Sequence, residues 1–200
     1  MKLLIVRHGN TFDPGDTLLR VGITDIPLAN SGIKQAISLG EYIRKNMLVP
    51  DKIYTSQLSR TINTAQIALP DMDVEKLAIF NEIDYCIDEG MPEEKVKTRI
   101  GAKAMQAWEQ DAIVPDGWNI SPEQVINNWQ KFAAKILQSS TDKIILVVTS
   151  NGIARFAPYI TNDYASFKEN HKIKLSTGAI GQLSYTNNTW QVDYWNHQTC

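Results

Sequence analysis

The chain has 200 residues, 43% of them hydrophobic and 21% charged, with a formal net charge of −2. These values exclude disordered and fibrous classes and leave room for one domain with a substantial core. They give no basic excess for gripping nucleic acid or an anionic membrane surface, so any anion must be held by a few focused cations.

No apolar stretch approaches the ~20 residues of a membrane span, and the run Leu3–Val6 is too short for the core of a secretion signal. Cys86 and Cys200, the two cysteines, make neither a disulfide framework nor a zinc site. The expectation is a soluble, cytoplasmic protein with a single domain over 1–200.

Elements follow in alternation. Leu3–Val6 has the apolar, β-branched character of a buried strand. Helical spacing of Ile33, Ala36, Ile37, Tyr42, Ile43 and Met47 predicts a helix over Ser31–Met47. Lys52–Thr55 reads as a strand, Leu58, Thr61, Ile62, Ala65 and Ala68 as a helix ending near Pro70, and Leu77–Phe80 as a further strand. A helix is expected from about Pro92 to Ile113, with Val96, Ile100, Ala104 and Trp108 on one face. Another opens at Ser121-Pro122, an N-cap residue with proline at the first helical position. Lys143–Thr149 is the strongest central-strand signal, followed by a helix from about Gly152. Two alternating segments, Ala179–Tyr185 and Trp190–Tyr194, are joined by Asn187-Asn188, which suits a hairpin turn. Strands alternating with helices predict an α/β fold, a three-layer α/β/α sandwich with a mostly parallel central sheet. Ligands of such sheets bind beyond the carboxyl ends of the strands.

The chemistry-bearing residues fall at those ends. Arg7-His8-Gly9-Asn10-Thr11 directly follows the first strand. Arginine can fork onto a phosphate, imidazole can act as a nucleophile, and glycine admits close backbone approach; a plain polar turn has the same composition. The phosphate loops GxxxxGK[ST] and GxGxxG are absent. After the second strand, Arg60 sits in the first turn of a helix. A cation there opposes the helix dipole unless an anion is bound, although a solvated arginine is the alternative.

Taken together, three stretches resemble the histidine phosphatase superfamily, the group containing phosphoglycerate mutases and acid phosphatases. They are Arg7-His8-Gly9-Asn10-Thr11, Asp25-Ile26-Pro27-Leu28 with Ser31-Gly32 and Gln35-Ala36, and Ser56-Gln57-Leu58-Ser59-Arg60 with Thr64-Ala65. Asn81-Glu82 with Glu89-Gly90, and Ser176-Thr177-Gly178, extend the likeness over most of the chain. The resemblance implies a phosphoglycerate mutase-like fold and a phosphohistidine formed on His8. Glu82 would be the acid, with Asp84, Asp88 and Glu89 as nearby rivals, and Arg7 and Arg60 would clamp the phosphoryl oxygens. It implies no cofactor and no metal, since the arginines supply the charge that Mg²⁺ supplies in kinases.

The pattern breaks at one place. Where the superfamily carries a second histidine after its last central strand, this chain reads Val147-Val148-Thr149-Ser150-Asn151-Gly152. Ser150 stands in the histidine's position, and Ser150-Asn151 is equally a helix N-cap sequence. A hydrogen bond to a charged group contributes about 1.5–3 kcal/mol, so losing it from a transition state slows turnover roughly ten- to a hundred-fold. Ser150 and the free amides of this helix start are candidates to fill the gap, Asn10 is a further phosphate-binding candidate, and Thr11, Arg20 and Asn151 are candidates to contact the rest of the substrate. Arg20 could equally be a solvated loop arginine, and His171 and His197 read as surface or packing residues. Position 14, where the family often has asparagine, is Pro14.

The expected function is therefore a phosphomonoesterase acting on a small phosphorylated metabolite, with a helical insertion around residues 85–120 capping the substrate. Alternatives are a catalytically weakened domain that binds a phosphorylated ligand, and, less favoured, a mutase-type phosphoryl transferase. A mutase is expected to carry extra shielding segments for which 200 residues leave little room. No nucleic-acid or membrane partner is expected, and oligomeric state is open.

Overall fold

The computed structural model describes residues 1–139 and 142–199; Cys200 lies outside the described residues. Six strands form one sheet: β1 (Lys2–Arg7), β2 (Lys52–Thr55), β3 (Val74–Lys76), β4 (Ile144–Thr149), β5 (Ile180–Thr186) and β6 (Thr189–His197). Their order is β3-β2-β4-β1-β5-β6. The β1–β4, β2–β4 and β2–β3 pairings are parallel, and β5 and β6 join antiparallel. The mostly parallel sheet is as expected.

Alternation along the central strands builds two cores. Leu4 and Val6 of β1 and Leu146 and Val148 of β4 pack against α1 (Asn30–Lys45) and α2 (Ser59–Ala68) through Leu39, Ile43, Ala65 and Ala68. Leu3, Ile5, Ile145 and Val147 face the other way, into a larger core with Trp129, Phe132 and Ile136 of α4 (Pro122–Ser139). Successive side chains of a strand point to opposite faces, so a continuous apolar run buries both. This is the three-layer α/β/α arrangement.

Local signals explain several boundaries. The Ser121 hydroxyl accepts the Gln124 amide at 3.2 Å, which caps α4 one residue before Pro122. Asn187 and Asn188 both have positive φ, 51° and 61°, as a two-residue type I′ hairpin requires. The start of α1 is capped from a distance: Asp13 Oδ1 accepts the Ser31 amide at 2.8 Å.

Two expectations need correction. Leu77–Phe80 is not a strand: β3 ends at Lys76 and Ala78–Phe80 is a 3₁₀ turn. Its apolar character reflects burial of Phe80 against Trp129 and Phe132 rather than extension. The helix at 92–113 is observed as α3 (Glu93–Asp111) but breaks at Gly101, with φ 81° and ψ 154°. Val96 lies buried before the break and Met105 and Trp108 after it, so the single stripe through Ile100 and Ala104 is not formed. The helix after β4 begins where expected and is one turn, α5 (Asn151–Ala154), followed by a 3₁₀ stretch at Ala157–Thr161. Pro158 has no N–H for an α-helical bond, so the longer helix cannot propagate. A short helix not expected from the sequence, α6 (Tyr164–Asn170), follows, capped by Asp163.

Candidate active site

The carboxyl ends of β1, β2 and β4 lie side by side, because β4 pairs in parallel with both β1 and β2. Beyond them opens a cleft of about 390 Å³. The chain leaves β1 at Arg7, crosses into the cleft at His8, and is held by the His8 amide donating to Thr149 O at 3.0 Å.

His8 is buried, 5% exposed, and its Nδ1 lies 2.7 Å from Gly9 O. A carbonyl only accepts, so Nδ1 carries the proton and Nε2 keeps its lone pair. Burial, and then the neighbouring Arg60 and Arg7 guanidinium groups, hold His8 well below the usual imidazole range. A neutral ring with a free Nε2 is the protonation state a nucleophile needs. Gly9 has a different reason from the one its place in the motif suggests. A Cβ there would fall 2.4 Å from Gly32 O, so the glycine admits the first turn of α1 rather than an anion.

Arg7 donates through Nη1 to Leu175 O at 3.2 Å, while its buried Nε has no partner among the described residues. Arg60 is 1% exposed; its terminal nitrogens donate to Thr24 O at 2.8 Å and to Gly22 O. One N–H on each remains beyond those two bonds. Burial lowers the pKa of both arginines, and in both Glu82 opposes that shift.

Glu82 is 8% exposed and lines the cleft. Its Oε1 accepts the Ile83 amide at 3.0 Å and its Oε2 the Gly152 amide at 3.2 Å. The amide at the start of α5, expected to be open to an anion, is thus occupied by this carboxylate. None of the rival carboxylates lines the cleft. Asp84 accepts the Cys86 amide. Asp88, fully buried, accepts from Arg99 and from Trp118 Nε1. Glu89 accepts the amides of Gly22, Thr24 and Tyr85.

Asn10, Thr11, Arg20 and Asn151 also reach the cleft. Asn10 is tied to Gln35, Ser31 and Thr177, and Asn151 Oδ1 accepts the Leu175 amide at 2.9 Å. Arg20 is far from a solvated loop residue: it pairs with Glu93 and lies 5.1 Å and 5.0 Å from the ring centroids of Tyr85 and Trp118. Ser150 is fully buried and outside the cleft lining, and its Oγ has no partner among the described residues. His171 stacks on Phe167 and His197 packs at a tilt against Tyr42, both away from the cleft.

The sequence reading missed Arg155, Lys174 and Tyr85 as cleft residues. Arg155 is 1% exposed, lies 3.8 Å from the Trp108 ring centroid and donates to Trp108 O. Burial brings its pKa down to about 10. An arginine inside the apolar run Ile153-Ala154-Arg155-Phe156-Ala157 was the available signal. Among the described residues no cluster of three His, Cys, Asp or Glu side chains is placed to hold a metal, and no helix is long and apolar enough to cross a membrane.

Comparison with known proteins agrees with the fold and shows the family. The family model of the histidine phosphatase superfamily (branch 1) matches residues 3–198. A 2,3-bisphosphoglycerate-dependent phosphoglycerate mutase of Elusimicrobium minutum is 30% identical over 168 residues, which is 80% of this chain and 66% of that protein. The chain thus spans about two thirds of the length of this curated relative. Among solved structures, mycobacterial glucosyl-3-phosphoglycerate phosphatase in complex with VO3 superposes with a TM-score of 0.83 at 21% identity, covering 98% of each chain. Entamoeba histolytica phosphoserine phosphatase in complex with 3-phosphoglyceric acid gives 0.76 at 22% identity, covering 98% of this chain and 96% of the other.

Proposed function

The chain belongs to the histidine phosphatase superfamily, and on that premise we propose that it is a phosphomonoesterase working through a phosphohistidine on His8. One observation carries the reading: a neutral imidazole with Nε2 free shares a cleft with half-buried Arg7, buried Arg60 and one buried carboxylate, Glu82.

In the first step Nε2 attacks phosphorus and the P–O bond to the ester oxygen breaks. Arg7 and Arg60 hold the nonbridging oxygens and offset the charge they carry in the transition state. Glu82 passes a proton to the departing oxygen. In the second step Glu82 takes a proton from water as the water oxygen attacks phosphorus, the N–P bond breaks, and phosphate leaves. The substrate is a small phosphorylated metabolite, with the helical segment around 85–120 capping it, Asn10 beside the phosphate, and Thr11, Arg20 and Asn151 contacting its remainder. Water as acceptor separates this reading from mutase-type transfer.

Ser150 favours a second reading, a slowed enzyme that chiefly binds a phosphorylated ligand, because its hydroxyl stands behind the cleft wall rather than in it. Turnover of an aryl phosphate by the wild type and His8→Ala, over roughly pH 5–8, decides between them. The phosphatase reading expects a loss of most activity in the variant and an acid-labile phosphoryl label on the wild type alone. Equal rates in the two proteins would sink it.

A further inference from the structure

We propose that Glu89 is a positioning residue that sets the arginine of the phosphate site, Arg60, through the backbone of residues 22–24. The inference rests on the reading of Arg60 as a phosphate ligand. It concerns a carboxylate that never reaches the cleft.

The geometry is a two-rung clamp. Glu89 Oε1 accepts the amides of Gly22 and Thr24 at 2.8 and 3.0 Å. The carbonyls of the same two residues accept from the two terminal nitrogens of Arg60. Residues 22–24 therefore lie between a carboxylate that takes both N–H groups and a guanidinium that takes both C=O groups. The second oxygen, Oε2, accepts the Tyr85 amide at 3.3 Å, which joins the clamp to the chain just after Glu82.

Two further observations give the clamp little slack. A Cβ on Gly22 would fall 1.9 Å from Ile83 O and 2.9 Å from Glu89 Oε2, so the segment is pressed directly onto the Glu82–Glu89 stretch. Arg60 is also fully buried on the helix that follows β2, where burial works against its charge and the negative charge of Glu89 helps to restore it. Removing the Glu89 carboxylate takes the acceptor from the amides of Gly22, Thr24 and Tyr85, frees residues 22–24 to shift, and takes both carbonyl anchors of Arg60 with them. The remaining N–H groups of Arg60 then no longer point at a fixed place. A buried arginine forks onto phosphate only if its plane is fixed.

The test is a double-mutant cycle on the full chain, read by calorimetric titration of inorganic phosphate, which needs no turnover. Glu89→Ala is expected to weaken phosphate binding roughly ten-fold, and by a clearly smaller factor when Arg60 is already Ala, because the two residues act on one contact. The proposal is overturned if Glu89→Ala binds phosphate like the wild type, or if the factor is undiminished in the Arg60→Ala background, the signature of a merely structural role. Should Glu89→Ala not fold, Glu89→Gln keeps one oxygen for the two amides and removes the charge. Its smaller loss of affinity must shrink in the same background, and an undiminished loss overturns the proposal. If Arg60→Ala alone leaves phosphate binding intact, the phosphate-site reading fails and this inference with it; if Arg60→Ala weakens binding but Glu89→Ala does not, only the inference fails.

Discussion

Gly152→Ala tests the placement of the acid without touching a group that reacts. A Cβ at this position would lie 2.2 Å from Glu82 Oε1 and 2.5 Å from Ile83 Cδ1. The first contact must open by about 1 Å, and a displacement of that size at a reacting group can cost about 100-fold. Ile83 is 3% exposed and hemmed in by the core, so the carboxylate is the part that gives way and its bond from the Gly152 amide goes with it. Overpacking costs ~1–3 kcal/mol of stability, or roughly 2–12 °C in Tm for a domain of this size, so the variant is expected to fold. The assay compares an alkyl phosphate, whose poor leaving group needs a proton, with p-nitrophenyl phosphate, whose leaving group needs it little. The expected result is a loss of about 100-fold in kcat/KM on the alkyl ester and a much smaller loss on the aryl ester. Equal losses on both esters in a folded variant would refute the role given to Glu82.

Three other predictions follow from the same structure. His8 is held below the usual range, so it should stay neutral while the unfolded chain takes up a proton below pH ~6.5. The unfolded state then binds more protons, and the His8 contribution makes stability fall as pH drops through that value; an imidazole NMR titration that places His8 at or above ~6.5 would contradict this. Asp88 is held below the usual carboxylate range by Arg99 and Trp118, so its contribution is present above pH ~3.9 and is lost as pH falls through the lower folded value. Asp88→Asn should cost about 1–3 kcal/mol in urea unfolding near neutral pH and progressively less as pH is lowered below ~3.9, and a cost that does not change with pH would count against the ion pair. Gly101→Ala places a side chain at φ 81° and should lower Tm by roughly 2–8 °C; a raised Tm would mean that the break in α3 is not enforced by the fold.

The features legible in the sequence are those set by neighbours along the chain. β1 and β4 were legible because buried parallel strands need continuous apolar runs, and Ser121-Pro122 because capping is a matter of three consecutive residues. Asn187-Asn188 was legible because a type I′ turn asks for positive φ at two adjacent sites. The motif around His8 and Arg60 was legible as a resemblance, and the cleft brings those residues together with Arg7 and Glu82. The resemblance pointed to Glu82 but left Asp84, Asp88 and Glu89 beside it as rivals. The fold separates them, because Asp84, Asp88 and Glu89 each spend their oxygens on groups distant in space from the cleft, or on the backbone beside it.

What the tertiary structure alone decided has a common cause: it depends on partners far away in the chain. The run at 77–80 is a turn because Phe80 meets aromatic residues of α4, some fifty positions later. Gly9 is required by α1 and Gly152 by Glu82, and neither contact is visible in its own motif. Arg20 is gripped by Tyr85, Trp118 and Glu93 rather than by solvent. The sequence determined that an arginine-flanked histidine ends the first strand. Only the packing of distant segments determined that its ring is buried and neutral, and that one buried carboxylate, Glu82, faces the same cleft.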